Sequence, residues 1–160
     1  MSHAIVVYSS RGRGIRLHLE LHPTAGNVKD VWGLMETILA VDDEPTVLSL
    51  CARILKLGGY NVLSAGGGEA ALIALQKSAM PVDLALLDVM MPGMNGIELA
   101  KRILEAHPDT QIVLMSGFGP KEIGRIAGGE SPYRIIWKPF KTESLLRMIE
   151  NALAGNCKNV

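Results

Sequence analysis

From residue 37 onward the chain alternates short apolar runs with longer stretches of helical periodicity, a rhythm that few folds accommodate. The runs are Ile38 to Val41, Val62 to Ser64, Leu84 to Leu87, Ile112 to Met115 and Ile135 to Trp137. Expected helices lie from Pro45 to about Leu57, Glu69 to Gln76, about Gly96 to Ala106 and Thr142 to Ala154. Strands separated by helices pair in parallel through right-handed βαβ units. The pattern predicts an α/β, flavodoxin-like (βα)5 doubly wound parallel sheet with strand order 2-1-3-4-5. Pro45 suits a first helical position because its missing N–H would be unpaired there anyway, and Thr142 is a candidate cap for the last helix.

One helix is expected to be poor. Between Ser116 and Lys138 the chain carries Gly117, Gly119, Pro120, Gly124, Gly128, Gly129 and Pro132. Each interior glycine costs a helix about 1 kcal/mol, so the fourth helix should be short, mobile or partly melted.

Open α/β sheets place their chemistry outside the carboxyl ends of the strands. There this chain carries Asp42-Asp43 after the first run, Asp88 after the third, Ser116 after the fourth and Lys138-Pro139 after the fifth. Three carboxylates and a lysine should therefore meet in one crevice. Carboxylates so close repel one another unless a cation sits among them. A hard divalent ion such as Mg²⁺, held by carboxylates, a carbonyl and waters, suits that donor set, and the absence of nearby His or Cys at ligand spacing argues against zinc or iron. With a magnesium ion and a lysine beside it, a carboxylate nucleophile could receive a phosphoryl group whose oxygens are neutralised in transit. Each piece alone has a bland reading. Asp42-Asp43-Glu44 could be a solvated helix start, Asp88 and Ser116 turn formers, Lys138 an edge lysine, and Met90, Met91 and Met94 loop packing. Their arrival together at strand ends favours the chemical reading.

The segments TILAVDDEP (37–45), LALLDVMMPGMNGIEL (84–99), IVLMSG (112–117) and IIWKPF (135–140) resemble the response-regulator receiver domains of two-component signalling. The resemblance spans roughly residues 36 to 155. It implies that Asp88 accepts a phosphoryl group from a kinase histidine, that Asp43 ligates Mg²⁺ directly, and that Asp42 acts on the metal largely through water. It further implies that the Met90 backbone carbonyl completes the metal shell, that Ser116 is the switch hydroxyl, and that Lys138 pairs with the phosphoryl group. Pro139 would follow a cis peptide. Where receivers commonly carry an aromatic residue three before the lysine, this chain has Ile135, with Tyr133 and Trp137 nearby, so the usual output face would signal weakly or by another rearrangement.

The first 36 residues do not fit that pattern. Ala4 to Ser9 and Ile15 to Leu21 read as strands about a turn at Arg11-Gly12-Arg13-Gly14, hence a β-hairpin, which is marginal alone in water. The stretch AIVVYSSRGRGIRLHLELHP is similar to the last hairpin of a histidine-kinase ATP-binding domain, without that domain's nucleotide motifs. The expected organisation is a hairpin over 1–22, a linker over 23–36, a receiver over 37–155 and a tail over 156–160. The chain would then be the C-terminal part of a hybrid sensor kinase. Expected partners are a histidine kinase donor, perhaps on the same polypeptide, and a histidine phosphotransfer protein. A hairpin edge left unsupported could pair with a neighbour's and give a homodimer.

Sixteen basic and sixteen acidic residues balance, which argues against a nucleic-acid surface. No apolar stretch approaches the roughly 20 residues that span a bilayer and no signal peptide opens the chain, so direct membrane contact is not expected and the cytoplasm is the expected compartment, with a parent protein that could be membrane-anchored. Cys51 and Cys157 read as free thiols, and His3, His18, His22 and His107 as solvated. Two rival functions remain open: a pseudo-receiver used only for docking, and an aspartyl-phosphate phosphatase or phosphotransferase. The second would usually place another aspartate two residues after the nucleophile, where Met90 stands.

Overall fold

The computed structural model describes residues 5–9, 16–20 and 35–155. Strands β1 (Ile5–Ser9) and β2 (Arg16–Glu20) pair antiparallel, Ile5 opposite Glu20 and Ser9 opposite Arg16, as the hairpin reading expects. The turn at Arg11 to Gly14, most of the 23–36 linker and the 156–160 tail lie outside the described residues.

The remaining elements run β3 (Thr37–Val41), α1 (Pro45–Leu57), β4 (Asn61–Ala65), α2 (Gly68–Lys77), β5 (Leu84–Asp88), α3 (Gly96–Ala106), β6 (Gln111–Ser116), α4 (Pro120–Ala127), β7 (Arg134–Trp137) and α5 (Thr142–Leu153). Their five strands form one sheet in the order β4-β3-β5-β6-β7, every neighbouring pair parallel. This is the expected 2-1-3-4-5 order of a flavodoxin-like domain.

Burial explains why the apolar runs read as they do. Every residue of β3 and β5 is buried, because helices cover both faces of these central strands, and such strands carry continuous apolar sequence. Alternate residues feed two cores. Leu39, Val41, Ala85 and Leu87 pack toward α2, α3 and α4, whereas Ile38, Ala40, Leu84 and Leu86 pack toward α1 and α5. Each fully buried leucine or isoleucine here contributes about 2 kcal/mol relative to exposure. The edge strands β4 and β7 are only partly buried, in keeping with their mixed sequences. Cys51 is a buried free thiol on the inner face of α1, its Sγ 3.7 Å from Met115 Sδ, and burial pushes it up to about 11.

One expectation about helix ends needs correction. Thr142 does not cap α5: it is the first helical residue, and Lys141 holds the cap position without a side-chain bond. The fourth helix is short, as expected, and spans eight residues. Its breakers fall at the ends: Pro120 occupies the first turn and Gly128 closes the helix at φ 73°, a left-handed conformation that favours glycine. Gly124 is the one interior glycine.

Candidate functional site

The chain leaves β3 for β4 on one side and returns to β5 on the other, so a crevice opens at the carboxyl ends of β3 and β5. Asp42 follows β3, and Asp88 ends β5. Asp42 is 2% exposed and Asp88 7%, yet both are ionisable, and each is held by defined donors. Asp42 Oδ1 accepts the Glu44 N–H at 2.9 Å, fixing the turn into α1. Asp88 Oδ2 accepts the Met90 N–H at 2.8 Å. Lys138 reaches across from the end of β7, and its Nζ donates to Asp42 Oδ2 and Asp88 Oδ1, both at 2.6 Å.

One ammonium between two buried carboxylates leaves a net negative charge. Burial pushes the Asp88 carboxyl above its ordinary value, and the nearby Asp42 charge adds to this against the opposing pull of Lys138 and the Met90 N–H. Burial alone would lower Lys138, but its bonds to Asp42 and Asp88 outweigh that and hold its ammonium above the usual lysine range. The lysine is therefore firmly charged, and Asp88 is a carboxylate short of compensation.

Asp42, Asp88 and Lys138 thus meet as the sequence predicts, but Asp43 does not join them: it is exposed beside the crevice. Among the described residues no three His, Cys, Asp or Glu side chains stand close enough together to hold a metal ion. The expected convergence of three carboxylates is corrected to two with a lysine. Ser116 is buried at the end of β6, but its hydroxyl closes its own loop, accepting from Phe118 N at 2.9 Å and donating to Phe118 O at 3.2 Å. Its backbone is nearer the lysine, since Ser116 O accepts the Lys138 N–H at 2.7 Å. The Lys138-Pro139 peptide is cis.

Gly96 is a residue the sequence reading passed over. Its N–H donates to Val89 O at 3.1 Å, and any Cβ there would collide with the Asp88 carbonyl oxygen and come within 2.9 Å of its carbon. The start of α3 therefore rests directly on the backbone that carries Asp88. The available signal was a glycine opening a helix with no turn to make. Asn95 before it accepts Glu98 N–H at 2.9 Å and caps the helix. Of the three methionines, Met91 and Met94 are packed as expected, Met94 against Gly68 where no Cβ would fit, whereas Met90 is exposed.

A doubly wound domain with two buried carboxylates sharing one lysine at its topological switch point is a flavodoxin-like acidic-crevice module. The chain belongs to the response regulator receiver domain family, whose model matches residues 38–150. Receivers are the phosphoacceptor modules of two-component signalling. The response regulator receiver protein CpdR of Brucella abortus is 32% identical over 119 residues, which are 74% of this chain and 98% of that protein. The transcriptional regulatory protein CpxR of Klebsiella pneumoniae is 39% identical over 122 residues, 74% of this chain and 50% of its own length. The chain spans about half the length of the CpxR relatives it matches. It is also 30% identical over 117 residues, 73% of its length, to 12% of the sensor kinase CckA of Brucella abortus. Among solved structures, the receiver domain of NtrX from Brucella abortus superposes with a TM-score of 0.64 at 35% identity, covering 72% of this chain and 97% of that one. Among the described residues no helix is long and apolar enough to cross a membrane.

Proposed function

We propose that Asp88 is the phosphoacceptor of a phosphorelay module fed by a histidine kinase. The observation that carries this reading is the single lysine bonded at 2.6 Å to both Asp42 and Asp88 at the switch point. In the transfer, an Asp88 oxygen forms a bond to the phosphorus of a phosphohistidine. The P–N bond breaks, and its electron pair leaves with the imidazole. The Lys138 ammonium shifts from sharing the two carboxylates to pairing with the incoming phosphoryl oxygens. The Ser116 hydroxyl, once turned from its loop, donates to another. Addition of the phosphoryl charge then shifts an existing conformational equilibrium.

The donor set fits a hard cation. Asp43 and Asp88 with the Met90 carbonyl would hold Mg²⁺, with Asp42 acting through water. Bound there, the ion would neutralise phosphoryl oxygens as charge builds on them. Asp43 is the residue whose side chain has to turn inward. The uncompensated charge of the crevice is the physical reason a divalent ion would be welcome.

The hairpin supports a place for this chain behind the catalytic domain of a hybrid sensor kinase, with residues 1–22 as the end of that domain, 23–36 as a linker, 37–155 as the receiver and 156–160 as a tail. CckA supports this reading in that a matching segment occurs within a sensor kinase. A histidine phosphotransfer protein would be the next carrier, the cytoplasm the compartment, and hairpin edge pairing a route to a homodimer.

The test is intact mass after incubation with acetyl phosphate and Mg²⁺. One added phosphoryl group that disappears in Asp88→Asn and without metal is the expected result. A folded, magnesium-binding protein that gains nothing would be a pseudo-receiver and would overturn the proposal.

A further inference from the structure

The foot of the sheet, at the opposite pole from the acidic crevice, holds a cavity of about 400 Å³. Unequal strand lengths create it. β6 begins at Gln111, but its pairing with β7 begins only at Val113 opposite Arg134, so Gln111 and Ile112 extend past the start of β7. Leu104 near the end of α3, Pro108 in the turn before β6, and Pro132 and Tyr133 ahead of β7 wall the gap. The β6 side is fixed in advance: the Gln111 N–H donates to Asp83 O and the buried Thr110 hydroxyl to Val82 O, each at 2.9 Å. Leu104, Ile112 and Tyr133 belong to the core on that face of the sheet and make the interior of the cavity apolar. Among the described residues Arg134 is the charged side chain that lines it, and Asp109, between two lining residues, is exposed to solvent. Burial pushes the Tyr133 phenol above its ordinary value, so it stays neutral and adds no negative charge to the wall.

We propose that this cavity binds a small planar aromatic carboxylate of one or two rings, its carboxylate on Arg134 and its ring against the wall of Leu104, Ile112 and Tyr133. Charge, shape and size select that class. A guanidinium carries five donors in a planar fork that matches a carboxylate, so it can take a ligand beside any bond it makes within the protein. A tyrosine ring and the faces of two prolines favour a flat ring over a branched aliphatic one. The volume lies at the small end of ligand sites, too little for a dinucleotide, and a single lining cation does not neutralise a polyphosphate. The Gln111 amide, whose Nε2 makes only a long contact of 3.5 Å to Asp109 O, is placed to bond a ring hydroxyl. Arg134 opens β7 and Lys138 follows it, so the acid would sit at one end of the strand whose other end delivers the ammonium to Asp88, roughly 13 Å away. The inference does not depend on Asp88 being the phosphoacceptor.

The experiment follows the amide NMR signals of the full chain during titration with 4-hydroxybenzoate and, separately, with 4-hydroxybenzamide, which keeps the ring and loses the charge. Expected are saturable shifts centred on Leu104, Thr110 to Ile112, Tyr133 and Arg134, with a Kd of about 1 mM or tighter for the acid, as suits a ligand of this size. The amide should bind about tenfold more weakly, and Arg134→Gln should weaken the acid by a similar factor while leaving the amide unchanged. Equal affinity for acid and amide would remove the charge recognition and overturn the proposal. So would shifts centred elsewhere, no saturable shift with the acid up to about 10 mM, or undiminished affinity for the acid in Arg134→Gln. The acid and amide are compared on the parent chain, so that arm decides the matter even where the variant does not fold.

Discussion

Asp83 and Asp88 sit just before and at the end of the same buried strand, and the chain treats them in opposite ways. At the foot of the sheet Asp83 is a fastener. Its Oδ2 accepts the Thr37 N–H at 2.7 Å, its N–H donates to Thr37 O at 2.9 Å, and its carbonyl accepts the Gln111 N–H at 2.9 Å, so β3, β5 and β6 are tied together there. Thr110 adds a bond from its hydroxyl to Val82 O at 2.9 Å. At the opposite end Asp88 shares a lysine with a second buried carboxylate, and burial pushes its carboxyl up. One acid strengthens the sheet through backbone donors. The other is kept charged at a cost, which is what a nucleophilic site requires and a structural one avoids.

The contrast can be broken most severely at Lys138. Lys138→Met leaves Asp42 and Asp88 buried without their cation and is expected to destabilise the fold by about 3 kcal/mol in denaturant unfolding. A loss below about 1 kcal/mol, the range of an exposed pair, would mean that solvent already compensates both carboxylates. The foot responds more mildly: Asp83→Ala should cost about 1–2 kcal/mol by unbonding the Thr37 N–H, while phosphoryl gain from acetyl phosphate persists. Loss of that gain in a folded variant would dissolve the distinction between the two ends.

The smallest effect has the opposite sign. The folded state raises the Asp88 pKa above its unfolded value of about 3.9, so ionising this group costs stability. The stabilising contribution of the protonated carboxyl is complete below that unfolded value and is lost as pH rises through the raised folded one. Asp88→Asn should therefore be more stable than the parent by about 1 kcal/mol at neutral pH, with the advantage vanishing toward pH ~4. Unfolding curves at several pH values decide it. An advantage that did not change with pH would point to packing rather than charge.

Much of this was legible in the residues because the strong signals were local. The five apolar runs became five strands, with Pro45–Leu57 and Gly96–Ala106 bounded as expected, since proline, glycine and strand-end acids punctuate them. Asp42, Asp88 and Lys138 were recoverable because a parallel sheet brings its carboxyl ends together whatever the loops do. What escaped depends on side-chain direction, which no pattern encodes. Asp42 and Asp43 are neighbours in sequence, yet one is buried on the lysine and the other exposed. Ser116 lies at the right edge, but its hydroxyl bonds Phe118. The role of Gly96 appears only once α3 is seated on the Asp88 carbonyl. The breakers around α4 foretold its shortness, because a glycine or proline at a helix end delimits the helix.

The Lys138 ammonium meets Asp42 across 96 residues of sequence and Asp88 across 50. In the order of synthesis both acids are made well before their cation, and β7, which delivers it, is the last strand of the sheet. Neither ion pair can form until residue 138 has been made and β7 has paired with β6. A nascent chain ending short of β7 would hold two carboxylates facing one another with no counter-charge. The same lysine that equips the completed domain for chemistry is therefore also the last-made member of the charged cluster at its centre.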